Sequence, residues 1–233
     1  PDYLVDVSAI SECFKEGTTL PFSYLLKKFL PFETTPPLML GNIANFFLDE
    51  LMTDPKVTFK DTFPKVFQLN PIAFTLFSDR EIREIMQKAQ KHFVTLKTMV
   101  HQTFAENNIL PEHCLLEPSF YSQRYGIQGR LDVFYQQTGT DEKADSAIIE
   151  LKSGKAWKPN RWGLSDNHYV QTLLYDLMIK SVFNEQLVPT NYILYSAADD
   201  KPLRFAPVTK TKQYEAIHLR NQLLTIEYQL TQL

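Results

Sequence analysis

The sequence predicts an α/β fold, a central mixed sheet flanked by helices, with a helical N-terminal part. Three observations predict it. Side chains alternate apolar and polar with period two over 129–135 and 147–152, the mark of strands. Two further aromatic and aliphatic runs, Tyr192–Tyr195 and Leu203–Pro207, read as strands as well. Apolar residues recur at helical spacing over 38–48, 78–105, 167–182 and 212–232. Strands interleaved with helices bury both faces of a sheet.

With 233 residues the chain has ample length for a core, and it is read as one domain, 1–233. Within it, 1–110 is the helical part and 111–233 the core that carries the chemistry. A hydrophobic content of 44% against 22% charged places it among soluble globular proteins. No secretory signal and no bilayer-length apolar run occurs, so no membrane association is expected and the placement is intracellular, cytoplasmic if bacterial. The net charge of -3 carries no global nucleic-acid signature, so any such role must rest on local charge. The cysteines, Cys13 and Cys114, are too few for a disulfide framework or a cysteine-ligated cluster, and each reads as a buried thiol. Because the chain opens on Pro1, it is expected to be a piece excised from something larger.

In chain order, the first fifty residues read as helical. Leu20 to Leu30 has an apolar face interrupted by Lys27 and Lys28; Pro31, Pro36 and Pro37 break the chain, and Leu38 to Leu48 restarts as a buried helix. Asn45 is the polar intruder in that helix, with Asn42 nearly one turn before it. From Thr53 to Phe77, with Pro55, Pro64 and Pro71, the chain reads as irregular. Ser78-Asp79-Arg80-Glu81 fits a capping box, and Ile82, Ile85, Met86, Ala89, Phe93, Leu96 and Val100 then give an amphipathic helix to about Ala105. That helix is scaffold, and His92 and His101 on its polar side are expected to be solvated.

The chemistry concentrates after residue 116. Gly129 to Tyr135 reads as one strand and Ala147 to Lys152 as another, joined by a hairpin loop through Thr138-Gly139-Thr140-Asp141. Glu150 and Lys152 must point the same way, roughly 6.6 Å apart along the strand. If the strands pair, Asp132 lies beside Glu150. Two adjacent carboxylates repel unless a cation sits between them, and Mg²⁺ takes carboxylate oxygens with waters and phosphate. A solvated Glu–Lys pair on an open sheet face is the alternative. Five of the seven glycines fall between 126 and 163, where close ligand approach or tight turns would use them. Lys152, Lys155, Lys158 and Arg161 follow with no acid among them, and both tryptophans, Trp157 and Trp162, lie in the same loop. Cations track a phosphodiester backbone and indoles stack on unpaired bases; a loop with its tryptophans tucked in is the bland reading. On the next helix His168, Gln171 and Tyr175 share a flank at i, i+3 and i+7.

Asp132, then Glu150-Leu151-Lys152, then Gln171 to Tyr175 resembles the PD-(D/E)XK nuclease superfamily, and the glutamine–tyrosine element resembles its RecB-like branch. Tyr121 to Asp132, Glu150 to Lys155 and Leu219-Arg220-Asn221-Gln222 are similar to the nuclease domains of the eukaryotic-type replication nuclease–helicases that process Okazaki flaps. The resemblance covers about 117 to 180, with patches at 38–51 and near 219. It implies a restriction-endonuclease-like core and a deoxyribonuclease acting in replication or repair on single-stranded DNA, at flaps or ends. It also implies Mg²⁺ or Mn²⁺ on Asp132, Glu150 and the Leu151 carbonyl. Lys152 would position or help deprotonate the attacking water, ordered by Gln171 and Tyr175, with Glu117 in an outer shell. Arg124, Arg130, Lys155, Trp157, Lys158, Arg161 and Trp162 would contact DNA, and a helicase domain in the same or a partner chain would accompany the nuclease.

Two departures stand out. Where the branch has Gly-x-x-x-His, with histidine as a metal ligand, this chain has Gly41 and Asn45, whose amide oxygen is a weaker ligand. Many relatives carry an iron–sulfur cluster on four cysteines; Cys13 matches the early one, and no cluster is expected in this piece. A nuclease fold that binds DNA for a helicase without cleaving it is the second functional reading, and a plain α/β domain with surface acids the third.

Overall fold

The computed structural model of the chain describes residues 3–31, 33–137 and 145–232. The expected hairpin loop at 138–144 lies outside them. The chain opens with β1 (Val5–Asp6), α1 (Val7–Ser11), a hairpin of β2 (Phe14–Lys15) and β3 (Thr18–Thr19), and α2 (Phe22–Phe29). Helices α3 (Pro36–Thr53), α4 (Phe59–Leu69), α5 (Pro71–Thr75) and α6 (Asp79–Thr98) follow; a π turn at Met99–Thr103 runs into α7 (Phe104–Glu106). After a single tight turn at Pro111–His113 come β4 (Cys114–Leu116), β5 (Ser119–Ser122), β6 (Ile127–Arg130), β7 (Val133–Gln137) and β8 (Asp145–Lys152). Then come α8 (Asp166–Val182), β9 (Thr190–Tyr195), β10 (Leu203–Phe205) and α9 (Lys210–Leu230). Among the described residues no helix is long and apolar enough to cross a membrane.

The main sheet has the order β10-β9-β8-β7-β4, with β8 and β9 parallel and the other pairs antiparallel. It is therefore a mixed sheet with β8 at its centre. Strand alternation sends Ala147, Ile149 and Leu151 into a core shared with α3, α4 and α6, while Ile148 packs with Val170, Leu174 and Met178 of α8 on the other face. Burial on both faces is why the middle of β8, Ala147-Ile148-Ile149, is apolar on both sides.

Four readings change. The strand read over 129–135 is two strands in different sheets, since β6 pairs with β1 and β5 while β7 joins the main sheet. The break at Leu131–Asp132 is clamped by Leu131 N–H donating to the Pro118 carbonyl (3.1 Å) and Glu117 N–H donating to the Asp132 carbonyl (2.9 Å). The stretch read as irregular holds α4 and α5. A capping box of Thr58 and Asp61 starts α4, and stacked and edge-on rings of Phe59, Phe63 and Phe67 offset the hydrogen bond lost at Pro64. The N-terminal part is helical as expected, α1 to α7, with the two-residue strands β1 to β3 added. Pro36 and Pro37, read as breaks before a helix at 38, instead open α3 behind Thr35 as its cap, because a first-turn proline gives up no helical bond. The Ser78–Glu81 box does cap α6 as expected.

His92 is the fourth. It is buried at 3% exposure, with Nδ1 3.0 Å from the Ser196 hydroxyl, because the end of β9 covers that side of α6. His101 is exposed and bonds the Pro55 carbonyl (2.7 Å).

Candidate active site

Glu150 and Lys152 leave the end of β8 on the face that meets α8, so the same-side placement required by strand geometry holds. Continuing the β7–β8 register of Val133 against Ile149 by one residue sets Asp132 across from Glu150, at the joint where the chain passes between sheets. Gln171 and Tyr175, one turn apart on α8, project onto this pair. The Lys152 ammonium donates to Glu150 Oε1 (2.9 Å) and to Gln171 Oε1 (2.8 Å). Gln171 Nε2 donates to the same Glu150 oxygen (2.7 Å) and to the Tyr175 hydroxyl (3.2 Å), which itself donates to the Arg130 carbonyl (2.8 Å). Asp132 Oδ2 accepts the Leu151 N–H at 2.6 Å. One glutamine thus ties the lysine to the glutamate, and one tyrosine ties α8 to the joint carrying Asp132.

Gly129 makes the last contact possible. A Cβ there would lie 2.8 Å from Tyr175 Cε1, so only glycine lets the ring rest on β6.

The electrostatics follow from burial. Glu150 is 3% exposed, and its Oε2 is buried without a hydrogen-bond partner. An unpaired buried carboxylate oxygen is costly, and it is the donor a hard cation takes. Burial, and after it the Glu150 charge, push the Asp132 carboxyl well above its ordinary value, against the pull of Lys152 and the Leu151 N–H. Burial alone would lower Lys152; the Glu150 and Asp132 carboxylates outweigh it and hold the ammonium above the ordinary lysine value. Burial and the same carboxylates raise the Tyr175 phenol, so it serves as a donor. His168, one turn before Gln171, is driven down to about 3 by burial and by Lys152, and its Nδ1 lies 3.1 Å from the Tyr195 hydroxyl.

Asp132 and Glu150, with the Leu151 carbonyl, fit a Mg²⁺- or Mn²⁺-type site of few protein ligands. Among the described residues no three His, Cys, Asp or Glu side chains converge as a ready metal cluster. Gly41, Asn45 and Asp49 share a flank of α3. A Cβ on Gly41 would meet the Ser153 hydroxyl at 3.6 Å, and Asp49 feels the charges of Glu117 and Arg130. Half-buried Asn45 falls between those two points, along the rim. Asp49 is the residue sequence reading passed over, raised to about 6 by burial and by Glu117. Its position one turn beyond Asn45 was the available signal. Glu117 holds a left-handed backbone (φ 49°) and pairs with Arg130 (3.1 Å).

The residues expected to touch DNA are not one patch. Arg124 pairs with Glu185 (3.2 Å) past the C-terminal end of α8, whereas Trp157 bonds Ser165 at the N-terminal end, roughly 25 Å away by helix rise. Trp162 packs on Tyr169 (5.3 Å between ring centres) with Arg161 over its ring (4.2 Å), while Trp157 is 71% exposed. Lys155 pairs with Asp199 (2.8 Å) and Lys158 with Glu16 (2.6 Å). Of the thiols, Cys13 is buried, and burial raises half-buried Cys114 to about 12.

No protein-family model matches the chain, and no curated protein matches it. Among solved structures, a protein from Eubacterium rectale named as a candidate exonuclease superposes with a TM-score of 0.58, covering 97% of this chain and 81% of that one at 13% identity. A second, SSO0001, aligns at a TM-score of 0.33 and 10% identity over 88% of this chain and 84% of that one, too loosely to argue from. The chain shares the fold of the Eubacterium rectale protein.

Proposed function

We propose that the chain is a metal-dependent deoxyribonuclease that hydrolyses phosphodiester bonds in single-stranded DNA, at flaps or ends, during replication or repair. One observation carries the reading. Lys152, Glu150 and Gln171 form a closed, buried hydrogen-bonded triangle beside Asp132, yet Glu150 Oε2 is left without a partner. A merely structural ion pair gains nothing from a second buried carboxylate and a bare oxygen. The fold shared with a protein named as a candidate exonuclease, and the motif resemblance, point the same way.

Asp132 and Glu150, with the Leu151 carbonyl, would hold the cation. A bound divalent cation supplies a water of lowered pKa and neutralises charge on the phosphoryl oxygens. Lys152, held beside Glu150 and Gln171, would position or help deprotonate the attacking water and stabilise charge on the phosphate. Gln171 fixes its direction, and Tyr175 holds the joint before Asp132. A helicase domain in the same or a partner chain belongs to the same proposal.

Cleavage of end-labelled single-stranded DNA in Mn²⁺ tests it. Asp132→Ala and Lys152→Ala should each lose cleavage while keeping the circular-dichroism spectrum and a cooperative unfolding transition. Full cleavage by both variants would sink the assignment. The missing third carboxylate or imidazole among the described residues favours a second reading, a DNA-binding module without catalysis. That reading predicts no heat of Mn²⁺ binding in a calorimetric titration of the wild type.

A further inference from the structure

A cleft of about 390 Å³ opens beside the site, between the β2–β3 hairpin, the loop after β8 and the start of α8. Phe14, Lys15, Trp157, Lys158, Asp166 and His168 are among the residues lining it, and its volume falls within the roughly 300–1,000 Å³ of small-ligand sites. Tryptophan is mostly buried in folded chains, yet Trp157 is 71% exposed. The indole is nevertheless held. Trp157 N–H donates to the Ser165 hydroxyl (2.7 Å), and its ring Nε1 donates to Glu16 Oε1 (3.2 Å). The other oxygen of Glu16 accepts from Lys158 Nζ (2.6 Å). Glu16 sits at the hairpin tip with a left-handed backbone (φ 52°), and the next residue, Gly17, donates its N–H to Asp166 (3.3 Å). One carboxylate therefore occupies an aromatic N–H and a lysine at once, on a hairpin pinned to the start of α8.

We propose that this cleft is a nucleotide subsite, in which an unpaired base of single-stranded DNA stacks on Trp157 and the adjoining phosphate replaces Glu16 on Lys158. The proposal rests on the nuclease reading and deepens it, naming where the strand leaves the reacting phosphate. Three features support it. A carboxylate and a phosphate offer the same paired anionic oxygens, so Glu16 already marks a place for them. The Lys158–Glu16 pair is exposed, with side chains at 60% and 50%, and such pairs hold weakly, so a phosphate displaces Glu16 at small cost. His168 lines the cleft and stands about 4.5 Å of helix rise before Gln171 on α8, so the cleft wall adjoins the glutamine that holds Lys152.

The test is fluorescence anisotropy with labelled oligothymidylate of about 12 nucleotides, in EDTA so that nothing is cleaved. Trp157→Ala should weaken binding about 10-fold, with Trp157→Phe keeping most of it. Glu16→Gln should tighten binding severalfold and steepen the salt dependence by about one charge, since Lys158 is then free for phosphate. Binding of a blunt duplex should not respond to Trp157→Ala. Unchanged oligothymidylate affinity in Trp157→Ala, or weaker binding in Glu16→Gln, overturns the subsite. If the wild type still cleaves in Mn²⁺ under either result, the subsite alone falls; if it neither binds nor cleaves, both readings fall. Trp157 and Glu16 are exposed, so circular dichroism should show all three variants folded.

Discussion

Replacing Gln171 by methionine removes the bridge of the site while keeping its volume. The side chain is 7% exposed and makes short bonds to two charged partners, Lys152 Nζ at 2.8 Å and Glu150 Oε1 at 2.7 Å, with a longer one to Tyr175 at 3.2 Å. Hydrogen bonds to charged groups contribute about 1.5–3 kcal/mol each, so two of them set a ceiling of about 3–6 kcal/mol. Lys152 keeps its 2.9 Å bond to Glu150, which lowers the expected loss to about 2–4 kcal/mol. At this chain length that corresponds to a fall in Tm of roughly 4–16 °C. With Lys152 no longer aimed, cleavage should slow about 100-fold, the scale of a lost supporting residue. Urea denaturation at constant m, beside single-turnover cleavage in Mn²⁺, measures both. A loss below about 0.5 kcal/mol with unaltered cleavage would mean that Gln171 does not carry the bridge.

Gly129→Ala should cost about 1–3 kcal/mol and reduce cleavage, because the added Cβ meets Tyr175 at 2.8 Å and displaces the hydroxyl holding the Arg130 carbonyl; denaturation of this variant beside Tyr175→Phe checks it. The pH dependence follows from His168, whose folded pKa near 3 lies below the ordinary histidine value of 6.5. The unfolded chain binds that proton first, so its contribution is full above pH 6.5 and is lost as pH falls toward 3, by at most about 1.4 kcal/mol per unit. Buried His92 is shifted in the same direction, while Asp49, raised to about 6, acts oppositely between pH 3.8 and 6. Comparing wild type with His168→Gln at pH 7.5 and 5 isolates the histidine; identical slopes in the two proteins would refute its burial as a neutral ring.

Where the sequence was legible, local chemistry and tertiary packing agreed. The Ser78–Glu81 box starts α6 because its bonds are made within four residues. Ala147 to Lys152 forms a strand as its alternation predicts, with Glu150 and Lys152 on one face, and Gln171 and Tyr175 meet Lys152 and Arg130 because helical spacing fixes their shared flank. What failed did so for a common reason. Alternation runs through Gly129 to Tyr135 although the chain changes sheets at Leu131–Asp132, because the bend is made by bonds from residues 117 and 118, and period two has no term for them. The prolines around α4 outweighed a capping box and a phenylalanine cluster whose rings meet only after folding. His92 reads as solvated on a helical wheel and is buried by the end of a strand about a hundred residues later.

By itself the sequence determined which groups carry charge, which face of β8 and of α8 they occupy, and the order in which Asp132, Glu150, Lys152, Gln171 and Tyr175 follow. These rest on strand and helix periodicity, which are local properties of the backbone. Only the tertiary structure decided that Asp132 stands at a joint between sheets and that Glu150 keeps one oxygen bare. It also decided that Trp162 packs inward while Trp157 stays in water against Glu16. Each of those depends on contacts between residues far apart in the chain, whose geometry no local spacing encodes.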